Sequence, residues 1–150
     1  MMLLSRRSVL AIAAVVDVAL HARPLPVAAK LLAARHRLPP RHLETVLQTL
    51  VRAGILKGVR GPRGGYELAR ERRRISAGQI VRAVMAAQED EGLPPLPESK
   101  LVELVIGPSV KEAGEAFLER LDSVTVEDLC RDAEARSVFG DTAAPMDFTI

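Results

Sequence analysis

Between Arg41 and Arg63 the chain sets out a row of polar side chains and then a basic, glycine-rich turn, a combination suited to gripping a polyanion and reading hydrogen-bonding edges. Arg41, Thr45, Gln48, Thr49 and Arg52 recur at i, i+4, i+7, i+8 and i+11, so a helix would carry them on one face, with His42 beside Arg41. No acid falls on that face; Glu44 stands at its edge. An arginine fork matches a guanine edge or a phosphate, and Thr and Gln offer short-range donors and acceptors. Past Gly54 the run Ile55–Val59 leads into G-P-R-G-G, and Tyr66, Glu67 and Leu68 follow. Two short runs about a tight loop read as a β-hairpin, here flanked by Lys57, Arg60 and Arg63.

These groups need elements to hold them. Leu43, Val46, Leu47 and Leu50 form the apolar stripe of a helix running from Arg41 to about Ala53, which Gly54 ends. Leu38-Pro39-Pro40 is a turn whose prolines preset that helix, and Val27 to Arg37 reads as the helix before it, with Val27, Ala28, Leu31 and Leu32 on one face. Pro26 suits that helix's first turn. Helix, short turn, cation-bearing helix and basic hairpin together are the layout of a winged helix-turn-helix, with the helix in the major groove and the wing on the backbone or in the minor groove.

Ahead of this unit, S-R-R-S-V-L and A-I-A-A-V-V imitate a twin-arginine export signal. Asp17 interrupts the apolar run, no small-x-small cleavage site follows, and the stretch falls short of the roughly 20 residues that span a bilayer. An amphipathic helix with Val9, Ile12, Val16 and Leu20 inward and Asp17 outward is the competing reading. Beyond the hairpin, Arg70 to Arg74 is either a solvated loop or a phosphate contact. Ser76 and Gln79 form a capping box that opens a helix with Ile80, Val81, Val84 and Met85 inward. Q-E-D-E-G-L-P-P-L-P, from Gln88, reads as a linker. Leu101 to Ile106 is an apolar patch ended by Gly107-Pro108. Ser109 and Glu112 suggest a second capping box, opening a helix with Val110, Ala113, Phe117, Leu121 and Val124 on a coiled-coil-like seam. Thr125 starts a last helix with Leu129 and Ala133 inward.

Charge divides the chain. Residues 1–86 carry 16 Lys+Arg against 4 Asp+Glu and residues 87–150 carry 5 against 15, together the chain's 21 and 19. A basic half beside an acidic half fits a nucleic-acid-facing part joined to a part with another task. Hydrophobic residues make up 48% of the chain with no Trp, so the core is built from Leu, Val, Ile and Ala, which suits helices. A single cysteine rules out an intrachain disulfide framework and a CxxC metal site. His21, His36 and His42 are not at metal-ligand spacing, no Ser/His/Asp signature or GxxxxGK loop is present, and an enzyme is not expected.

Four stretches resemble the bacterial IscR-, NsrR- and CymR-type winged-helix transcriptional regulators. D-V-A-L at Asp17 to Leu20 is similar to the end of that family's first helix. L-E-x-x-L-x-x-L-x-x-A-G-I-L from Leu43 to Leu56 resembles its recognition helix. V-R-G-P-R-G-G-Y from Val59 to Tyr66 resembles its wing, and S-V-T-V-E-D-L from Ser123 to Leu129 the link out of its dimerisation helix. The resemblance covers most of the chain and sets the export reading aside. It implies a homodimeric repressor on double-stranded DNA at a pseudo-palindromic promoter site, cytoplasmic and with no membrane partner. By the same resemblance Arg41, His42 and Thr45 approach base edges and Arg60 is the minor-groove residue, while Gly64 and Gly65 let the backbone approach a phosphate. Cluster-bearing members place three cysteines between the fourth helix and the dimerisation helix; residues 87–109 hold none, so no cysteine-ligated cluster and no other cofactor is expected.

The reading is thus a mainly α fold with a small β-hairpin, a winged helix-turn-helix plus a long dimerisation helix. It places the DNA-binding domain at 1–87, a linker or sensor segment at 88–108, dimerisation helices at 109–139 and an unstructured tail at 140–150. The DNA-binding set is Arg41, His42, Thr45, Gln48, Thr49, Arg52, Arg60, Arg63, Gly64 and Gly65; Val110, Ala113, Phe117, Leu121 and Val124 form the dimer seam. Cys130 is either a small buried hydrophobe, a redox sensor or half of an intersubunit disulfide, and Leu101 to Ile106 either lines a ligand pocket or caps the dimer interface. A winged-helix module that binds protein instead of DNA is the alternative; operator, genes and effector are not encoded in legible form.

Overall fold

A computed structural model describes residues 3–88 and 98–140. Among them six α-helices and one hairpin follow in the order α1 (Arg6–His21), α2 (Ala29–Arg35), α3 (Pro40–Arg52), β1 (Leu56–Val59), β2 (Gly65–Leu68), α4 (Ala77–Ala87), α5 (Gly107–Asp122) and α6 (Val126–Ala135). A 3-10 turn, Arg72–Arg74, precedes α4, and a π-helical turn, Val102–Ile106, leads into α5. This is the mainly α, winged helix-turn-helix architecture. The expected linker over 89–97 and the tail over 141–150 lie outside the described residues.

The recognition-type helix forms as its pattern dictates. Pro40 supplies the first helical position, Leu43, Val46, Leu47 and Leu50 are buried, and Gly54 (φ 73°) ends the helix in a left-handed conformation. β1 and β2 pair antiparallel with Leu56 opposite Leu68, Lys57 opposite Glu67, Gly58 opposite Tyr66 and Val59 opposite Gly65. Val27 then pairs with Tyr66 on the free edge of β2, exchanging N–H···O bonds of 2.9 and 2.8 Å. The wing is therefore pinned at its base to the segment before α2. Pro26 accordingly lies in that extended segment, short of α2's first turn.

α1 sits rotated from the expected face. Ala11, Ala14, Val15 and Val18 are fully buried, while Ile12, Val16 and Leu20 flank the core and Val9 is exposed. The two alanines let neighbouring helices come close, which larger residues at the same positions would prevent. Asp17, expected outward, is buried. Two other inward assignments fail in the same manner: Leu31 is 56% and Met85 51% exposed, with Ala33 and Ala83 packing instead.

α4 opens with the expected Ser76–Gln79 capping box. Its N-terminus is tied to the α5–α6 link by Ala77 N–H to Val124 O and Val126 N–H to Ile75 O, both 2.8 Å. Val126 and Cys130 of α6 enter the same core as α1, α3 and α4. Leu129 and Ala133, expected inward, are only half-buried. One core thus spans the winged helix and α6, while α5 contributes no fully buried residue.

The helix carrying α5 does not begin at Ser109. It is continuous from residue 100 to 122, with the π turn near its N-terminal end. Pro108 explains this: a proline inside a helix has no N–H to give and its ring crowds the carbonyl four residues back. The widened turn relieves that crowding, and Gly107, whose N–H reaches the Val102 carbonyl, fits because a Cβ there would lie 2.8 Å from that oxygen.

Candidate nucleic-acid interface

The buried stripe of α3 fixes the direction of its other face. Arg41, His42, Thr45, Gln48 and Arg52 are all exposed. Thr49 is half-buried and its hydroxyl donates to the Thr45 carbonyl at 2.9 Å, so it is partly committed within the helix. Arg60 and Arg63 are exposed on the hairpin loop. Among the described residues none of Arg41, His42, Arg52, Arg60 and Arg63 is held by a side-chain hydrogen bond or ion pair.

Other cations are already engaged. Lys57 pairs with its cross-strand neighbour Glu67 at 2.8 Å, Arg73 with Glu71 at 2.6 Å, and Arg72 with Glu127 of α6. The arginine run of residues 70–74 is therefore divided, with Arg72 serving to attach α6. Arg35 is consumed inside the fold by Asp17.

Gly64 and Gly65 have internal reasons to be glycine. A Cβ on Gly64 would stand 2.2 Å from the Val59 carbonyl oxygen, and one on Gly65 would stand 2.3 Å from that of Val27. Gly64 N–H also closes the loop onto Gly61 O at 2.9 Å. Their size is required to form the loop and seat the wing, whatever the wing then touches.

Cys130 is fully buried, and burial pushes its thiol up against the opposing pull of the Arg72 guanidinium. That is the setting of a packed core thiol rather than a ready thiolate. Leu101, Leu104, Val105 and Ile106 are 44–66% exposed and point away from the core.

What sequence reading missed is the group around Asp17. His21 Nδ1 (3.1 Å), Arg35 Nε (2.9 Å) and His36 Nε2 (2.9 Å) all reach its carboxylate. The available signal was an acid flanked by Val16 and Val18 inside an apolar run, with Arg35 and His36 waiting at the end of the next helix.

Comparisons with known proteins agree with this geometry. The Rrf2 family model, described as an iron-dependent transcriptional regulator, matches residues 4–132. A helix-turn-helix-type transcriptional regulator of Synechocystis sp. is 37% identical over 139 residues, spanning 89% of this chain and 91% of that protein. Protein rrf2 of Nitratidesulfovibrio vulgaris is 32% identical over 123 residues, spanning 78% and 79%. Among solved structures, T. potens IscR aligns with a TM-score of 0.69 at 33% identity over 90% of each chain. CymR, the global cysteine regulator of B. subtilis, aligns with a TM-score of 0.65 at 27% identity, over 87% of this chain and 98% of that one.

The donor set does not fit a cysteine-ligated iron cluster. Such clusters need several thiolates; this chain has one cysteine, buried in the helical core. Among the described residues no three His, Cys, Asp or Glu side chains gather to hold a metal ion, and no helix is long and apolar enough to cross a membrane. With a family model spanning residues 4–132 and relatives of matching length, the chain belongs to the Rrf2 family of DNA-binding transcriptional regulators.

Proposed function

We propose that the protein is a homodimeric repressor that binds a pseudo-palindromic promoter site in the cytoplasm and is switched by something other than a cysteine-ligated cluster. The observation that carries this reading is the row of uncommitted donors on α3, Arg41, His42, Thr45, Gln48 and Arg52, held outward by a buried stripe beside a hairpin with two uncommitted arginines. The N-terminal end of α3 enters the major groove, where Arg41 pairs with a guanine edge and His42 and Thr45 lie alongside. Arg60 lies in the minor groove and Arg63 on a phosphate.

Two-fold pairing runs along the long helix. Val110 (64% exposed) and Ala113 lie open, and Leu101, Leu104 and Val105 continue the apolar surface toward residue 100. Phe117, Leu121 and Val124 of the expected seam are half-buried beside α4, so they support the helix from below while the upper half meets the second copy.

Binding of the purified protein to its own upstream region, across several salt concentrations and beside an unrelated duplex, tests the reading. A steep salt slope together with tighter binding to the upstream region is expected. Equal affinity for both duplexes would overturn sequence-specific regulation. Sedimentation of the free protein as a monomer would overturn the homodimer.

A further inference from the structure

Asp17 is a fully buried carboxylate in α1 that holds two successive residues at the end of α2. Arg35, the last residue of α2, sets its guanidinium on both carboxylate oxygens, with Nε 2.9 Å from Oδ2 and NH2 on Oδ1. His36, the C-cap, donates from Nε2 to Oδ2 at 2.9 Å. A carboxylate only accepts, which fixes the donor on each histidine ring. His21 Nδ1 completes the set from α1 itself, sharing its proton between the Asp17 carboxylate at 3.1 Å and the Asp17 carbonyl at 2.8 Å. Among the described residues no buried side-chain polar atom is left without a partner.

The chain that leaves this clamp has little freedom. Only Arg37, Leu38, Pro39 and Pro40 separate His36 from Arg41. Arg37 takes a left-handed φ of 53°, Leu38 N–H bonds back to Ala33 O at 2.9 Å, and the two prolines fix their own φ. The position of α2's last turn is thereby passed to the first turn of α3. A buried ion pair is a poor source of net stability, since desolvation offsets much of the attraction, but its bidentate geometry admits one arrangement.

We propose that Asp17 is a positioning residue for DNA reading: through Arg35 and His36 it sets where Arg41 and His42 meet the base edges. The inference rests on α3 being the reader, as argued above.

The test compares Asp17→Asn, His36→Ala and His36→Gln in the full chain, each checked by circular dichroism melting. The readout is the ratio of affinity for the protein's own upstream duplex to that for a scrambled duplex at one salt concentration. For folded Asp17→Asn the ratio should fall about tenfold, the discrimination of one aligned base contact, with scrambled-duplex affinity changed less than about twofold. His36→Ala should lower the ratio, and His36→Gln, which keeps a donor at the reach of Nε2, should restore it. A folded Asp17→Asn with the wild-type ratio overturns the positioning role. Should Asp17→Asn fail to fold, the two His36 variants decide, and equal ratios for both overturn it. Wild-type protein that does not discriminate between the duplexes instead overturns the reading of α3 and this inference with it.

Discussion

Gly65 and Val27 approach so closely that a Cβ on residue 65 would stand 2.3 Å from the Val27 carbonyl oxygen and 2.7 Å from the Ala28 nitrogen. This contact lets Val27 and Tyr66 exchange their two backbone hydrogen bonds and fastens the wing to the helix-turn-helix. Gly65→Ala must push the strand away, breaking both bonds. Overpacking against backbone costs about 1–3 kcal/mol, so a lower melting temperature is expected along with weaker DNA binding. Gly58→Ala in β1 is the control: nothing lies within 4 Å of its Cβ position, and melting should be almost unchanged. Equal melting of the two variants would contradict the assigned contact.

α3 is legible in the sequence because its period and its burial coincide: Leu43, Val46, Leu47 and Leu50 are large, evenly spaced and all inside. The buried face of α1 departs from its pattern because the helix offers apolar residues nearly all round, and that face is set by its two small alanines, Ala11 and Ala14, not by its largest side chains. Asp17 departs from its pattern for a related reason. An acid in an apolar run is outward by default, and only the partners at the end of α2, eighteen and nineteen positions on, make burial tolerable. The Ser109 capping box failed because local pattern cannot see that Pro108 can be carried inside a helix by a π turn. The wing glycines fall in the hairpin, as their spacing predicts, but their close contacts are with Val59 and Val27, partners that sequence spacing does not reveal.

α6 is attached through its first turn. Thr125 Oγ1 accepts from Asp128 N–H and Asp128 Oδ2 accepts from Thr125 N–H, each at 3.0 Å. Thr125→Ala removes the cap and should cost about 1 kcal/mol. The bond from the Thr125 backbone N–H, with that of its side chain, holds the Asp128 carboxyl below its ordinary value of 3.8. A lowered folded-state value means a contribution present above about 3.8 and lost as pH falls from there through the lower folded-state value. Melting curves between pH 5 and about 3 should therefore show a shallower acid loss for Asp128→Asn, which removes the titrating carboxyl, than for the wild type. Parallel curves would refute the linkage.

Cys130 gives the opposite sign at the alkaline end. Burial raises its thiol above the ordinary value of 9.0, so the folded chain keeps a proton that the unfolded chain loses. Its contribution is complete below about pH 9 and declines as pH climbs past it. Cys130→Ala should flatten that decline. In the native wild type, a thiol reagent at neutral pH should label slowly, at the rate of opening, and denaturant should release fast labelling. Rapid stoichiometric labelling of native protein would place the thiol at the surface.

The cations of the wing divide by whether they already have partners. Lys57 pairs with Glu67 across the hairpin at 2.8 Å, whereas Arg60 and Arg63 are uncommitted among the described residues. A cation that must first leave a carboxylate contributes less to phosphate binding than one that is free. Arg63→Ala should weaken binding to upstream and scrambled duplexes alike and lower the salt slope by roughly 0.9, the signature of one lost phosphate contact. Arg60→Ala should weaken the upstream duplex more than the scrambled one, because a minor-groove arginine reads groove width as well as charge. Lys57→Ala should do neither to a comparable extent. Salt titrations of the three variants separate these outcomes, and an Arg60→Ala protein that loses affinity equally for both duplexes would move Arg60 from the groove to the backbone.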